Sequence, residues 1–184
     1  LAPSTRAWEA AGAFPADVLQ EMGALGFLGM TVPEEWGGAG LDYVSYALAL
    51  MEIAAGDGAL STLMSVNNAP VCAILMAAGS ERQKTEYLRR LAAGEMIGAF
   101  ALTEPHAGSD AASLRTTARL ADGGYVLNGT KQFITSGAIA GVTITFAVTD
   151  PAAGKRGLSA FLVPAGANGF RVGRVESKLG QRAS

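Results

Sequence analysis

The chain has 184 residues, 49% of them hydrophobic and 16% charged, a balance that suits one ordinary globular domain or two small ones and excludes a disordered polar chain. Its formal net charge of −2 comes from 14 basic and 16 acidic residues spread without runs, so neither nucleic acid nor a membrane surface is an expected partner. A single cysteine excludes an internal disulfide, and with one histidine and no clustered carboxylates no metal site is expected.

Cys72 lies in the apolar run from Val71 to Ala77 and reads as a buried, inert thiol. No stretch of about 18 apolar residues lacks a Gly, Pro or polar break, and no signal-type segment opens the chain, so membrane insertion is not expected. The first residues, Leu1-Ala2-Pro3, include no Met, which reads as trimming at that end.

From residue 14 to about 93 the pattern is helical. Phe14-Pro15 opens a segment whose Val18, Leu19, Met22 and Leu25 share a core-facing side, with Pro15 in the first turn and Gly26 at the end. VPEEWGGAG, Val32 to Gly40, cannot continue a helix and predicts a loop. Asp42 then caps a helix to about Ala55, with Val44, Ala47, Leu48 and Met51 on one face. A further apolar segment, Ala59 to Ala78, is expected to kink or split at Pro70. Ser80 with Gln83 three residues on forms a capping box, and the helix it opens is expected to end near Gly94.

After Gly94 the period shortens. Thr116 to Leu120 predicts a strand, and Asn128-Gly129 within GYVLNGTKQFITSG, Gly124 to Gly137, predicts a hairpin. Val142 to Thr149 and Leu158 to Val163 are further strands, with turns at Asp150-Pro151 and around Gly154. This half reads as antiparallel β.

The chemistry-bearing run is FALTEPHAGSD, Phe100 to Asp110. Pro105 and Gly108 hold it out of regular structure, while Thr103 and Ser109 supply hydroxyls beside free backbone amides. From physics alone it is either a tight turn with Asx and Ser caps or a loop that binds an anionic or heteroaromatic group.

FALTEPHAGSD resembles the signature of the acyl-CoA dehydrogenase family, and FITSG, Phe133 to Gly137, resembles that family's second flavin motif. VPEEWGGAG, GEMIGAF, LSAFLVP and KLGQRAS are similar to further family landmarks. The resemblance implies an α+β fold: an all-helical N-terminal domain, residues 1–95, then an antiparallel, β-barrel-like middle domain, residues 96–184. It implies FAD as cofactor, with flavin contacts at Phe100, Leu102, Thr103, Gly108, Ser109, Phe133, Ile134 and Thr135, and acyl-CoA near Ser109. Thr103 and nearby amides would face the flavin's N1 side, Thr135 its N5, and Phe133, where many relatives have Trp, its ring face.

In the family the catalytic Glu comes from a C-terminal helical domain, so no catalytic residue is expected within residues 1–184. His106 reads as a surface loop residue and Glu104 as a holder of backbone. Val66, Asn67, Pro70 and Val71 are candidates for lining the acyl chain or for ordinary core. The implied reaction is α,β-dehydrogenation of an acyl-CoA thioester to a trans-2-enoyl-CoA. Electron-transferring flavoprotein is the implied electron acceptor and a homotetramer the implied assembly. The expected location is the cytoplasm of a bacterium or the mitochondrial matrix of a eukaryote. A flavin-dependent oxidase or monooxygenase on the same scaffold, and a truncated non-catalytic module, are the competing readings; TEPHAGSD favours the dehydrogenase.

Overall fold

Helices build the first half of the chain and a sheet the second, and one core joins them. The computed structural model describes residues 2–14 and 16–184; the expected first-turn role of Pro15 falls outside them. Helix α1, Ala2–Ala11, was not anticipated, and its Trp8 meets Phe14 edge-on at 5.8 Å. Helix α2, Ala16–Ala24, buries Met22 and half-buries Val18 and Leu19. Leu25 lies beyond its end and is 72% exposed, contrary to expectation. Gly26, at φ +82, turns the chain there, a backbone state open to glycine at little cost. The 32–40 segment is the expected loop, with one short 3-10 turn at Glu34–Trp36.

Asp42 caps helix α3, Tyr43–Gly56, by accepting from Ser45 N–H at 2.7 Å. The buried side of α3 is the one opposite to expectation: Tyr46, Ala49, Leu50 and Ile53 pack inward, while Val44, Leu48 and Met51 are exposed. The helix is apolar all round, so its hydrophobic period does not select a face. Asp57 caps helix α4, Gly58–Val66, through Leu60 N–H at 2.8 Å.

Pro70 neither splits nor ends the next stretch. Residues Asn67–Cys72 form a π-helical segment that runs into α5, Ala73–Ala78, and Ala73 N–H reaches back to the Asn68 carbonyl. The wider turn absorbs the hydrogen bond that proline cannot donate and the room its ring needs. By length and composition the helix from Gly58 to Ala78 could cross a membrane. In the fold its apolar side chains fill both cores instead: Leu60, Leu63 and Met64 one, Val71, Cys72 and Leu75 the other. Burial pushes the Cys72 thiol up to about 12, in keeping with an inert group.

The Ser80–Gln83 capping box is present and opens α6, Glu81–Gln83, a π-helical turn, Lys84–Leu88, and α7, Arg89–Ala92. Gly94, at φ +72, ends it.

The sheet has five strands and is mixed, not antiparallel. Strand β4, Val142–Val148, is its centre: β5, Leu158–Pro164, pairs antiparallel along one side, and β1, Gly98–Ala101, pairs parallel on the other. Beyond β1 on that side, β2, Thr117–Ala121, touches β4 in parallel at Thr117, and β3, Gly124–Asn128, pairs antiparallel with β2. The sheet does not close, so it is barrel-like only loosely. One face carries Val142 and Ile144 into the core built by Val71, Leu75, Leu88 and Leu91, which joins sheet to helices.

The expected Asn128-Gly129 hairpin is not formed. The turn lies earlier, at Asp122-Gly123, with Gly123 at φ +84 and Ala121 opposite Gly124. Gly129 is required for another reason: a Cβ there would sit 2.2 Å from Thr116 Oγ1. The glycine permits a close crossing of two backbones, which a turn-propensity rule misreads.

Two buried asparagines fix the helices to one another and to the sheet. Asn67 donates to the Leu28 and Leu91 carbonyls at 2.8 and 3.2 Å and accepts from Gly98 N–H, the first residue of β1, at 2.9 Å. Asn68 donates to the Phe27 and Met64 carbonyls and accepts from Met30 N–H. Asn67→Ala would leave the Leu28 carbonyl and the Gly98 N–H without partners and take one of two donors from the Leu91 carbonyl, and is expected to destabilise the fold by about 3 kcal/mol in a denaturant titration.

Candidate functional site

The site is made by two loops that meet beyond the end of β1. The first leaves the sheet at Leu102 and closes a tight turn, with Glu104 N–H on the Ala107 carbonyl at 2.7 Å and Ala107 N–H on the Glu104 carbonyl at 3.1 Å. Pro105 and His106 occupy the exposed tip. The second loop, between β3 and β4, contains FITSG. It is held in irregular backbone by left-handed Phe133, φ +58, and Ser136, φ +60. Neither conformation is easily adopted by these residue types.

The loops are locked together at three points. Gln132 N–H donates to the Thr103 carbonyl at 2.9 Å. Lys131 Nζ donates to the Leu102 carbonyl at 3.0 Å and to Glu104 Oε1 at 2.8 Å. The Glu104 carboxylate also accepts from Arg115 N–H at 2.7 Å and Thr116 N–H at 3.0 Å, which attaches the segment entering β2. The Glu104 side chain is 2% exposed and that of Lys131 11%. Burial alone would raise the Glu104 pKa, but the Lys131 ammonium and the Thr116 and Arg115 donors outweigh it and bring it to about 2. Burial draws the Lys131 pKa down, against the pull of Glu104.

The eight predicted contact residues fall into two groups. Thr103, Gly108 and Ser109 on the first loop and Phe133, Ile134 and Thr135 on the second are brought to one region by the lock and are half-buried or exposed. Phe100 and Leu102 serve the scaffold as well. Phe100 packs edge-on against Phe146 at 5.3 Å beside the shared core, and the Leu102 carbonyl receives Lys131. Phe133 is 70% exposed, so it is no core aromatic.

Among the described residues the N–H groups of Thr103, Ser109, Ile134 and Thr135 donate to no protein acceptor, and the Thr103, Ser109 and Thr135 hydroxyls have no protein partner. The Ser136 hydroxyl is buried and unpaired. At Gly108 a Cβ would meet only Thr103 Cγ2 at 3.9 Å, so the chain's own packing does not demand glycine there. This donor-rich set, with no charged side chain projecting from it, suits the carbonyl and nitrogen edge of a flavin.

Lys131 and the Arg115 and Thr116 amides are the functional groups that sequence reading missed. The available signal was Glu104 itself, since an acid in a half-buried loop needs a cation. Its partner lies 27 residues away in sequence and no local rule finds it. His106 Nε2 is 3.4 Å from Glu104 Oε2 on the exposed side, as a surface residue would be. Asn67 and Val71 are fully buried and belong to the core, so neither lines an acyl site; Val66 and Pro70 are half-buried. Among the described residues no group of three His, Cys, Asp or Glu side chains could hold a metal ion. A surface hollow bounded by Phe14, Leu19, Arg90, Met96 and Ile139 includes none of the predicted contacts.

Because the folded-state pKa of Glu104 is about 2 against an ordinary 4.5, its contribution to stability is complete above pH 4.5 and is lost as the pH falls toward 2. The linkage amounts to about 3 kcal/mol at 1.36 kcal/mol per unit. Acid titration of unfolding should show this loss in the native sequence, and Glu104→Gln should be less stable at neutral pH and lack that component.

The family model for the acyl-CoA dehydrogenase N-terminal domain matches residues 1–95, and that for the middle domain matches residues 99–184. The chain is 47% identical over 180 residues to an acyl-CoA dehydrogenase of Bacillus subtilis, covering 98% of this chain and 48% of that protein. It is 47% identical over 171 residues to the human mitochondrial short-chain specific acyl-CoA dehydrogenase, covering 93% and 42%. The crystal structure of a glutaryl-CoA dehydrogenase from Mycobacterium smegmatis in complex with FADH2 superposes with a TM-score of 0.92 at 42% identity, covering 100% of this chain and 46% of that one. The chain thus spans about half the length of the curated relatives it matches. Two family models in sequence, on an arrangement in which both motif loops are joined at Glu104, lead to one conclusion: this chain belongs to the acyl-CoA dehydrogenase family.

Proposed function

We propose that the protein carries out FAD-dependent α,β-dehydrogenation of an acyl-CoA thioester to the trans-2-enoyl-CoA, and that residues 1–184 supply the flavin site and part of the acyl site. The observation that carries this reading is the pair of locked loops presenting the free N–H and hydroxyl groups of Thr103 and Thr135 together.

FAD, when bound, supplies the acceptor for the hydride that leaves the β carbon. The Thr103 amide and hydroxyl would hold the N1 side of the ring system, and the Ile134 and Thr135 groups the N5 side. Phe133 would cover a ring face, and Phe100 and Leu102 would form the adjoining wall. Gly108 and Ser109 would lie toward the pyrophosphate and the thioester, where small residues allow close approach. All these donors are fixed before any ligand arrives, so little reorganisation accompanies the gain of negative charge on the cofactor.

Glu104 takes no part as a base. It is buried, ionised and saturated with donors, and a carboxylate held at about 2 is a poor proton acceptor. On the family resemblance, the α proton would pass to a carboxylate outside residues 1–184. The division into a helical unit, residues 1–95, and a β unit, residues 96–184, belongs to the same proposal. So do electron-transferring flavoprotein as oxidant, a homotetrameric assembly, and a bacterial cytoplasmic or mitochondrial setting.

The test uses protein expressed from the complete reading frame, its visible spectrum recorded without oxygen as acyl-CoA thioesters of increasing length are added. A flavin band bleached by one length class is the expected result, and a band that no thioester bleaches overturns the dehydrogenase reading. Thr103→Val and Thr135→Val should each slow that bleaching by roughly a hundredfold, the usual effect of removing one well-placed donor.

A further inference from the structure

Lys131 makes a contact that an ion pair does not require. An ammonium group paired with Glu104 could meet its needs at the carboxylate and in solvent, yet Lys131 also donates to the Leu102 carbonyl at 3.0 Å and is 11% exposed. The carbonyl of Leu102 and the N–H of Thr103 belong to one peptide unit. A cation on the oxygen draws electron density from the nitrogen and makes the N–H a stronger donor. That N–H meets no protein acceptor and stands in the region where the flavin reading places the cofactor's N1 side.

We propose that Lys131 is a positioning residue which polarises the Leu102–Thr103 peptide toward the cofactor and so favours its reduced form, with Glu104 as the countercharge that moderates the effect. This rests on the flavin reading above. It assigns the pair a role that stability alone does not supply. Removing either partner breaks the same ion pair and weakens the same loop junction, but the two removals change the field on the Leu102 carbonyl in opposite senses.

The experiment measures the midpoint potential of FAD bound to the full-length protein, together with thermal unfolding, for the native sequence, Lys131→Gln, Glu104→Gln and Lys131→Arg. Mildly acidic buffer keeps the Lys131 ammonium charged despite its lowered pKa. Lys131→Gln should lose roughly tenfold of the preference for reduced over oxidised cofactor, a potential about 30 mV lower for a two-electron couple. Glu104→Gln should move the potential upward, although both variants unfold earlier. Lys131→Arg keeps the charge and should stay near the native value.

Potentials that do not move, or that move in the same direction in both glutamine variants, overturn the proposal and leave the pair a purely structural lock. A Lys131→Arg protein shifted as far as Lys131→Gln does the same. Should Lys131→Gln not fold, the sign for Glu104→Gln alone decides: upward supports the proposal, unchanged or downward overturns it. A native full-length protein that takes up no FAD overturns the flavin reading itself, whereas a yellow native protein with unmoved variants overturns only this inference.

Discussion

The buried carboxylate of Glu104 is the junction on which the second half of the molecule depends. Burying a lone carboxylate is costly, and a single surface-type partner would not offset that cost. Here three donors offset it together: the Lys131 ammonium and the Arg115 and Thr116 amides. They come from two other stretches of chain, so satisfying one charge fixes the loop after β1, the approach to β2 and the loop after β3 in a single geometry. The two motif loops have little regular structure of their own, and without this charge only the Gln132 and Lys131 bonds to the Thr103 and Leu102 carbonyls would join them.

The strand that feeds the junction is secured at its other end by a different kind of group. Strand β1 is only four residues long, and its first N–H is held by the Asn67 carboxamide, which in turn grips Leu28 and Leu91. A neutral amide is suited to that position, since it satisfies donors and acceptors at once without bringing a charge into the core. The π-helical segment around Pro70 contains both buried asparagines, Asn67 and Asn68. A residue that would interrupt an ordinary helix thus lies within the turn that knits the helices to the sheet. The result is a short rigid path from the helical core through β1 to Thr103.

Much of this is visible in the sequence where the signal is local. Asp42, the Ser80–Gln83 box, Gly26 and Gly94 each act through atoms within a few residues, and the structure places them as caps and ends. The failures have a common physical origin. The faces of α3 are equally apolar, so only the neighbours decide which is buried. Asn128-Gly129 satisfies a hairpin rule, but its glycine answers to Thr116 on another segment, while Asp122-Gly123 makes the turn. For the site, the motifs identified the residues that face outward; they did not identify Lys131, because its role exists only once the loops have met. Local rules read local energies, and the lock between the loops is not local.

Phe133 and Ser136 show what the lock accomplishes. Left-handed backbone at two non-glycine residues costs on the order of 1 kcal/mol or more each. Neither gains much from its own side chain: Phe133 is 70% exposed and the Ser136 hydroxyl is buried without a partner. The stabilisation must come from elsewhere, and the nearest sources are Gln132 N–H on the Thr103 carbonyl and the Lys131 ammonium, immediately upstream. A loop shaped only by its own packing would relax to commoner angles and turn the intervening Ile134 and Thr135 amides with it. Strain held in place by a buried charge keeps those amides free of protein acceptors.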